Sequence, residues 1–171
     1  SRVAAGGQAA NAAARSGAPH DEARVRSSLG LCLVARGAFE HAQEELESAR
    51  SLFRACGDLR EEGVTWSHLA SLAGRRWDHA EAARCHEQAL RIHLETGNLH
   101  HASISRLGLA MRRIDAGDVP GAEAVLGPVL ARERRTGNQR LVAFALAAQA
   151  AAAHERGALT ETLRLLDAAE S

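Results

Sequence analysis

Lysine and tyrosine are both missing from this chain of 171 residues. All 21 basic residues are arginine, so no P-loop lysine, Schiff-base lysine or lysine general base can form; the bias matches the codon usage of a GC-rich genome. Aromatic residues make up 3% of the chain against 46% hydrophobic, which leaves Ala and Leu to carry most of the apolar content. That composition suits closely packed helices and not sandwiches built from Val, Ile and Tyr. Net charge is zero, with 21 acidic and 21 basic residues spread along the length, and gives no electrostatic case for direct nucleic-acid binding or an anionic membrane. The longest apolar run, 141–153, is rich in alanine and broken by Gln149, so no membrane span is expected. The opening stretch SRVAAGGQAANAAARSG lacks the leucine-rich core of a signal peptide. Cys32, Cys56 and Cys85 are odd in number and form no CxxC, which predicts reduced, buried thiols in a cytoplasmic protein. Met111 is the only methionine, so the sequence reads as a piece of a longer protein.

What the chain does have is a ruler. Gly57, Gly97 and Gly137 stand at equal intervals, each followed by Asp58, Asn98 or Asn138, with Gly17 as an upstream member. Three small-residue series keep the same step: Gly30, Ala70, Ala110 and Ala150; Ala42, Ala82 and Ala122, lapsing to Thr162; Ala49, Ala89 and Ala169, with Val129 between. Gly37, Gly117 and Gly157 form another, with Trp77 as the exception and Gly74 nearby, so that turn is expected to shift. A fixed period of this size marks a solenoid of about 40 residues per repeat, and small residues at fixed offsets mark where helices approach closely. Inside each unit the spacing is helical: Phe39, Ala42, Leu46, Ala49 and Phe53 recur at steps of three and four, with Glu40, Glu44 and Glu47 off the stripe. Each unit therefore reads as helix A, a tight turn, helix B and a Gly-Asp/Asn loop, glycine ending one helix and the polar residue starting the next.

The stretch LGLCLVARGAFEHAQEELESA, with Leu29-Gly30, Gly37, Phe39, Ala42, Leu46 and Ala49, resembles the tetratricopeptide repeats (TPR). Units three and four match with Leu109-Ala110, Gly117, Ala122 and Leu126, and with Ala150, Gly157, Leu166 and Ala169. The resemblance implies an all-α, right-handed α-solenoid of helix-turn-helix repeats in a single domain over 1–171: 1–16 as helix B of a preceding repeat, 21–57 as repeat 1, 61–97 as repeat 2, 101–137 as repeat 3 and 141–171 as repeat 4. The unit is longer than the family's usual 34 residues, and Arg54, Leu94 and Arg134 stand where a proline often ends helix B. Long Ala- and Arg-rich units with GD or GN loops also resemble the repeat regions of large bacterial transcriptional regulators: LuxR-type ATPase regulators, Streptomyces antibiotic regulatory proteins and the maltose-regulon activator type.

Chemistry is hard to find. No metalloprotease, nucleophile-elbow, dinucleotide or zinc-ribbon pattern occurs, and neither an enzyme nor a metal or cofactor is expected. His79, His86, His93 and His100 recur at seven-residue steps, about 10.5 Å apart on a helix and too distant for two of them to share one ion. The ruler aligns His79, His86 and His93 with Phe39, Leu46 and Phe53, which would bury them. The stripe Ala82, Cys85, Ala89 and Ile92 would instead leave them half solvated at its edge, and that reading is preferred. Cys85 with His86 makes a poor nucleophile and base, since sequence neighbours diverge by about 100° on a helix. What remains is a surface. The resemblance implies a concave groove lined by A helices, holding Arg24, Leu31 and Val34; Val64 and Arg75; Ile104, Leu107, Met111 and Ile114; Phe144 and His154. Its occupant would be a partner segment from another protein or from other domains of the same chain, or a small effector. Neither chain end looks like a polar cap, which leaves room for a homo-dimer through open ends.

Overall fold

The computed structural model describes residues 2–170, with side-chain surroundings from Pro19 onward. Among them the chain forms eight α-helices: α1 (Arg2–Arg36), α2 (Phe39–Ala55), α3 (Leu59–Arg75), α4 (His79–Glu95), α5 (Leu99–Asp115), α6 (Val119–Thr136), α7 (Gln139–Glu155) and α8 (Leu159–Glu170). Each packs on its neighbours in sequence, giving a helical repeat-like array. The helices α3, α5 and α7 begin at equal intervals, as do α2, α4, α6 and α8. Contact also runs between α1 and α3 and between α5 and α7, so within each of these pairs the odd-numbered helices lie side by side.

The turns explain the ruler. Gly37, Gly57, Gly97, Gly117, Gly137 and Gly157 all take positive φ, the left-handed residue that stops a helix without a Cβ clash. After Gly57, Gly117 and Gly137, the side chains of Asp58, Asp118 and Asn138 accept the backbone N–H groups of Glu61, Gly121 and Leu141 at 3.0, 3.0 and 3.3 Å, capping the next helix. The turn at Trp77 does not shift: Trp77 itself adopts φ 62°, and Asp78 caps α4 by accepting from Glu81 N–H at 3.0 Å. The geometry of the turn, set by the packed helices on both sides, overrides the residue's preference. Gly74 stays inside α3.

The small-residue series sit where the helices touch. Ala70, Ala110 and Ala150 are buried, as are Ala42, Ala82 and Ala122. A Cβ on Gly30 would lie 2.6 Å from the Leu46 side chain, so this crossing is open only to glycine. At the N-terminal side the ruler expects a break at Gly17, with 1–16 as a separate helix B, whereas the backbone runs through as the single helix α1. The run Ala9–Arg15 is made largely of strong helix formers, which favours continuation. Cys85 is buried, but Cys32 and Cys56 are exposed, against the expectation of three buried thiols. Cys56 caps the end of α2, where a side chain has left the packed stripe.

The core is not continuous. One apolar cluster gathers Val34, Leu46, Leu69, Leu72 and Cys85 from α1–α4, and another gathers Ile114, Leu126, Val129, Leu146 and Leu165 from α5–α8. Between them, at the meeting of α3, α4 and α5, polar side chains fill the interior. Ser67 Oγ lies 3.4 Å from His93 Nε2 and 3.5 Å from Ser105 Oγ, and the rings of His93 and His101 are 5.2 Å apart.

Candidate functional site

A cavity of about 650 Å³ opens between α5 and α7, within the size range of small-ligand sites. Ile104, Leu107 and Met111 enter it from α5, and Leu141, Phe144, Ala147 and Ala148 from α7. Steps of three and four along both helices put these residues on facing stripes. Gly108 lies in the wall, and behind it a Cβ would run into the His86 ring, so α4 backs the cavity closely. Met111 is 37% and Phe144 53% exposed, an arrangement that presents apolar surface to solvent.

Four groove residues named from sequence, Ile104, Leu107, Met111 and Phe144, therefore meet in one cavity. The rest do not join it. Val34 and Ile114 are each buried within an apolar cluster, correcting their assignment to an open groove: each sits near the end of its helix, where the stripe turns toward the next element. Arg24, Leu31, Arg75 and His154 are exposed and Val64 half-buried, outside the cavity lining. The polar members His100, Asn138 and Arg140 were not assigned to the groove from sequence, because they stand at the starts of α5 and α7, away from the stripe's centre. The signal that could have found them is their place in the Gly-Asn pairs or two residues after them. A second recess of about 270 Å³ lies between α2, α3 and α4 and is lined by Glu47, Asp78, Glu81 and Arg76 among others; its lining is acidic where that of the larger cavity is apolar.

The histidine row divides. His93 is fully buried, which overturns the solvated-edge reading, because α5 covers the inner face of α4. His79 and His86 are half-buried and His100 exposed. His79 Nδ1 accepts from Arg112 at 2.6 Å. Burial, aided by Arg112, lowers His86 from its ordinary value to about 4. Burial, aided by His101, does the same to His93 and His68. The Nδ1 atoms of His86 and His93 are buried without a hydrogen-bond partner. Among the described residues no group of three His, Cys, Asp or Glu side chains could hold a metal ion.

Cys85 is held as a thiol. Burial and the neighbouring Glu81 carboxylate raise it to about 12, and its Sγ donates to Glu81 Oε1 at 3.4 Å. A thiol so far from ionisation is a weak nucleophile at neutral pH. Two buried acids complete the inventory. Glu133 accepts from Ser103 Oγ at 2.7 Å and pairs with Arg132. Burial pulls its carboxyl up, but those bonds outweigh it and leave the group below its ordinary value. Glu62 meets Arg54 at 3.4 Å. No helix among the described residues is long and apolar enough to cross a membrane. Compared with models of protein families and with curated protein sequences, the chain matches none.

Proposed function

We propose that this chain is a non-catalytic interaction or sensor region, a right-handed solenoid of TPR-like helix pairs with a unit of about 40 residues, serving a bacterial transcriptional regulator in the cytoplasm. Its working part is the cavity between α5 and α7, which takes an apolar segment of a partner protein or of other domains of the same chain. The observation that carries this reading is the facing of Ile104, Leu107 and Met111 with Phe144 across an open cavity. Half-exposed apolar side chains cost solvation in the free state and gain it back on covering. The setting in a regulator rests on the resemblance of the Ala- and Arg-rich units to such regulators. A second reading, a small effector in the same cavity, is favoured by the cavity's volume and by the gathering of its few polar groups at one end.

Met111, the single methionine, supplies the test. A chain carrying a ¹³C-labelled Met111 methyl gives one resonance inside the cavity. A blocked, apolar helical peptide is expected to shift it saturably, and Phe144→Glu to abolish the shift while the circular dichroism spectrum stays helical. Full binding by the Phe144→Glu variant would rule this cavity out as the docking site.

A further inference from the structure

The cavity between α5 and α7 has a chemical direction. Its polar side chains, His100, Asn138 and Arg140, stand at the starts of α5 and α7 or in the cap just before α7. Toward the other end lie Leu107, Met111, Ala147 and Ala148, and no Asp or Glu lines any part of it. Asn138 is committed, since its Oδ1 accepts from Leu141 N–H at 3.3 Å. Arg140 is not. Its guanidinium lies 5.8 Å from the centroid of the Phe144 ring, and it pairs with no acid among the described residues. Arg112, Arg132 and Arg156 each meet a carboxylate, whereas Arg140, like Arg134 and Arg135, does not, and Arg140 is the arginine that lines the cavity. An arginine beside an aromatic ring and without a carboxylate partner keeps its N–H fork free for a planar anion. With apolar walls on either side, that bond would form in partial shelter from water.

We propose that the cavity binds a small amphipathic acid, its apolar body of roughly ten carbons lying along Ile104, Leu107, Met111 and Phe144 and its single carboxylate on Arg140. This deepens the small-effector reading above and rests on it. Decanoate, decanamide and decyltrimethylammonium, three probes with the same tail and different heads, are titrated into the 171-residue chain bearing the labelled Met111 methyl. Decanoate is expected to shift the resonance saturably and to bind about tenfold tighter than decanamide, with the cation weakest. Arg140→Gln brings decanoate to the level of the amide and leaves the amide unchanged. Phe144→Ala weakens all three. Equal binding of decanoate and decanamide, or a decanoate advantage that survives Arg140→Gln, overturns the acid while an apolar cavity remains. Silence of Met111 toward every tail, and toward an apolar peptide, removes the cavity as a site altogether. A C-terminally amidated apolar peptide that moves Met111 where decanoate does not assigns the cavity to a protein segment and overturns the acid.

Discussion

Trp77 carries the most strained backbone among the described side chains: it is the one non-glycine residue there with positive φ, and it is 79% exposed. A left-handed conformation costs a side chain with a Cβ roughly 1–2 kcal/mol, and Trp77 recovers little of that by packing. Trp77→Gly is therefore expected to raise stability by about 1 kcal/mol, after allowing for the looser unfolded chain, read as a higher urea midpoint with unchanged slope. His86 presents a different cost. Its Nδ1 is buried without a partner at the position where α2 and α6 place the fully buried Leu46 and Leu126. His86→Leu removes an orphaned polar atom and is expected to gain about 1 kcal/mol at pH 7. A loss of stability would show that the ring's fit against Gly108 outweighs the missing bond.

Helix boundaries were legible in the sequence because their causes are local. Glycine at every stop from α1 to α7 except that of α3, and Asp or Asn at the starts of α3 to α7, is chemistry of two or three residues, and the element starts follow it closely. The caps are not equal, however. Asp78 accepts from Glu81 N–H at 3.0 Å, while the Asn98 side chain caps no backbone group and lies 3.1 Å from His101 Nδ1 instead. Asp78→Ala is expected to cost about 1 kcal/mol and Asn98→Ala only a few tenths. Thermal denaturation of the two variants compares them, and equal losses would contradict the cap assignment. The ruler failed at Gly17, inside α1, where strong helix formers upstream favour one uninterrupted rod. It failed in part for α8: Leu166, matched with Leu46 and Leu126, is exposed while Leu165 is buried, and Ala169 packs against the core.

Across the whole molecule, the interior changes character between its halves. His68 and His93 flank the polar layer, with His86 behind α5, and each titrates near 4 in the fold against an ordinary value of 6.5 because burial disfavours the charged ring. Above pH 6.5 both folded and unfolded chains hold these rings neutral, and the shifts contribute nothing to pH dependence. Between pH 6.5 and 4 the unfolded chain takes up protons that the fold excludes, so stability falls as pH falls, by on the order of 1 kcal/mol per pH unit for each ring. Urea midpoints measured from pH 7.5 to 4.5 are expected to be flat above 6.5 and to drop below it, less steeply in His86→Leu. A flat profile throughout would mean that the rings are solvated. At the α8 end, Leu166 is 44% exposed while its counterparts Leu46 and Leu126 are fully buried. That open face is expected to drive reversible self-association, seen as concentration-dependent sedimentation and abolished by Leu163→Glu with Leu166→Glu.

The sequence by itself determined the all-helical class, the rhythm of the helices and the places where glycine or alanine must sit, since propensity, turn chemistry and apolar spacing act over a few residues. It also brought forward four side chains of the cavity, because a stripe on one helix face is a local pattern. Only the tertiary structure decided that Val34 and Ile114 belong to the core and that His93 is enclosed. Those facts depend on which helix covers which face and at what offset, and such an offset is fixed by long-range packing that no short stretch of the chain contains.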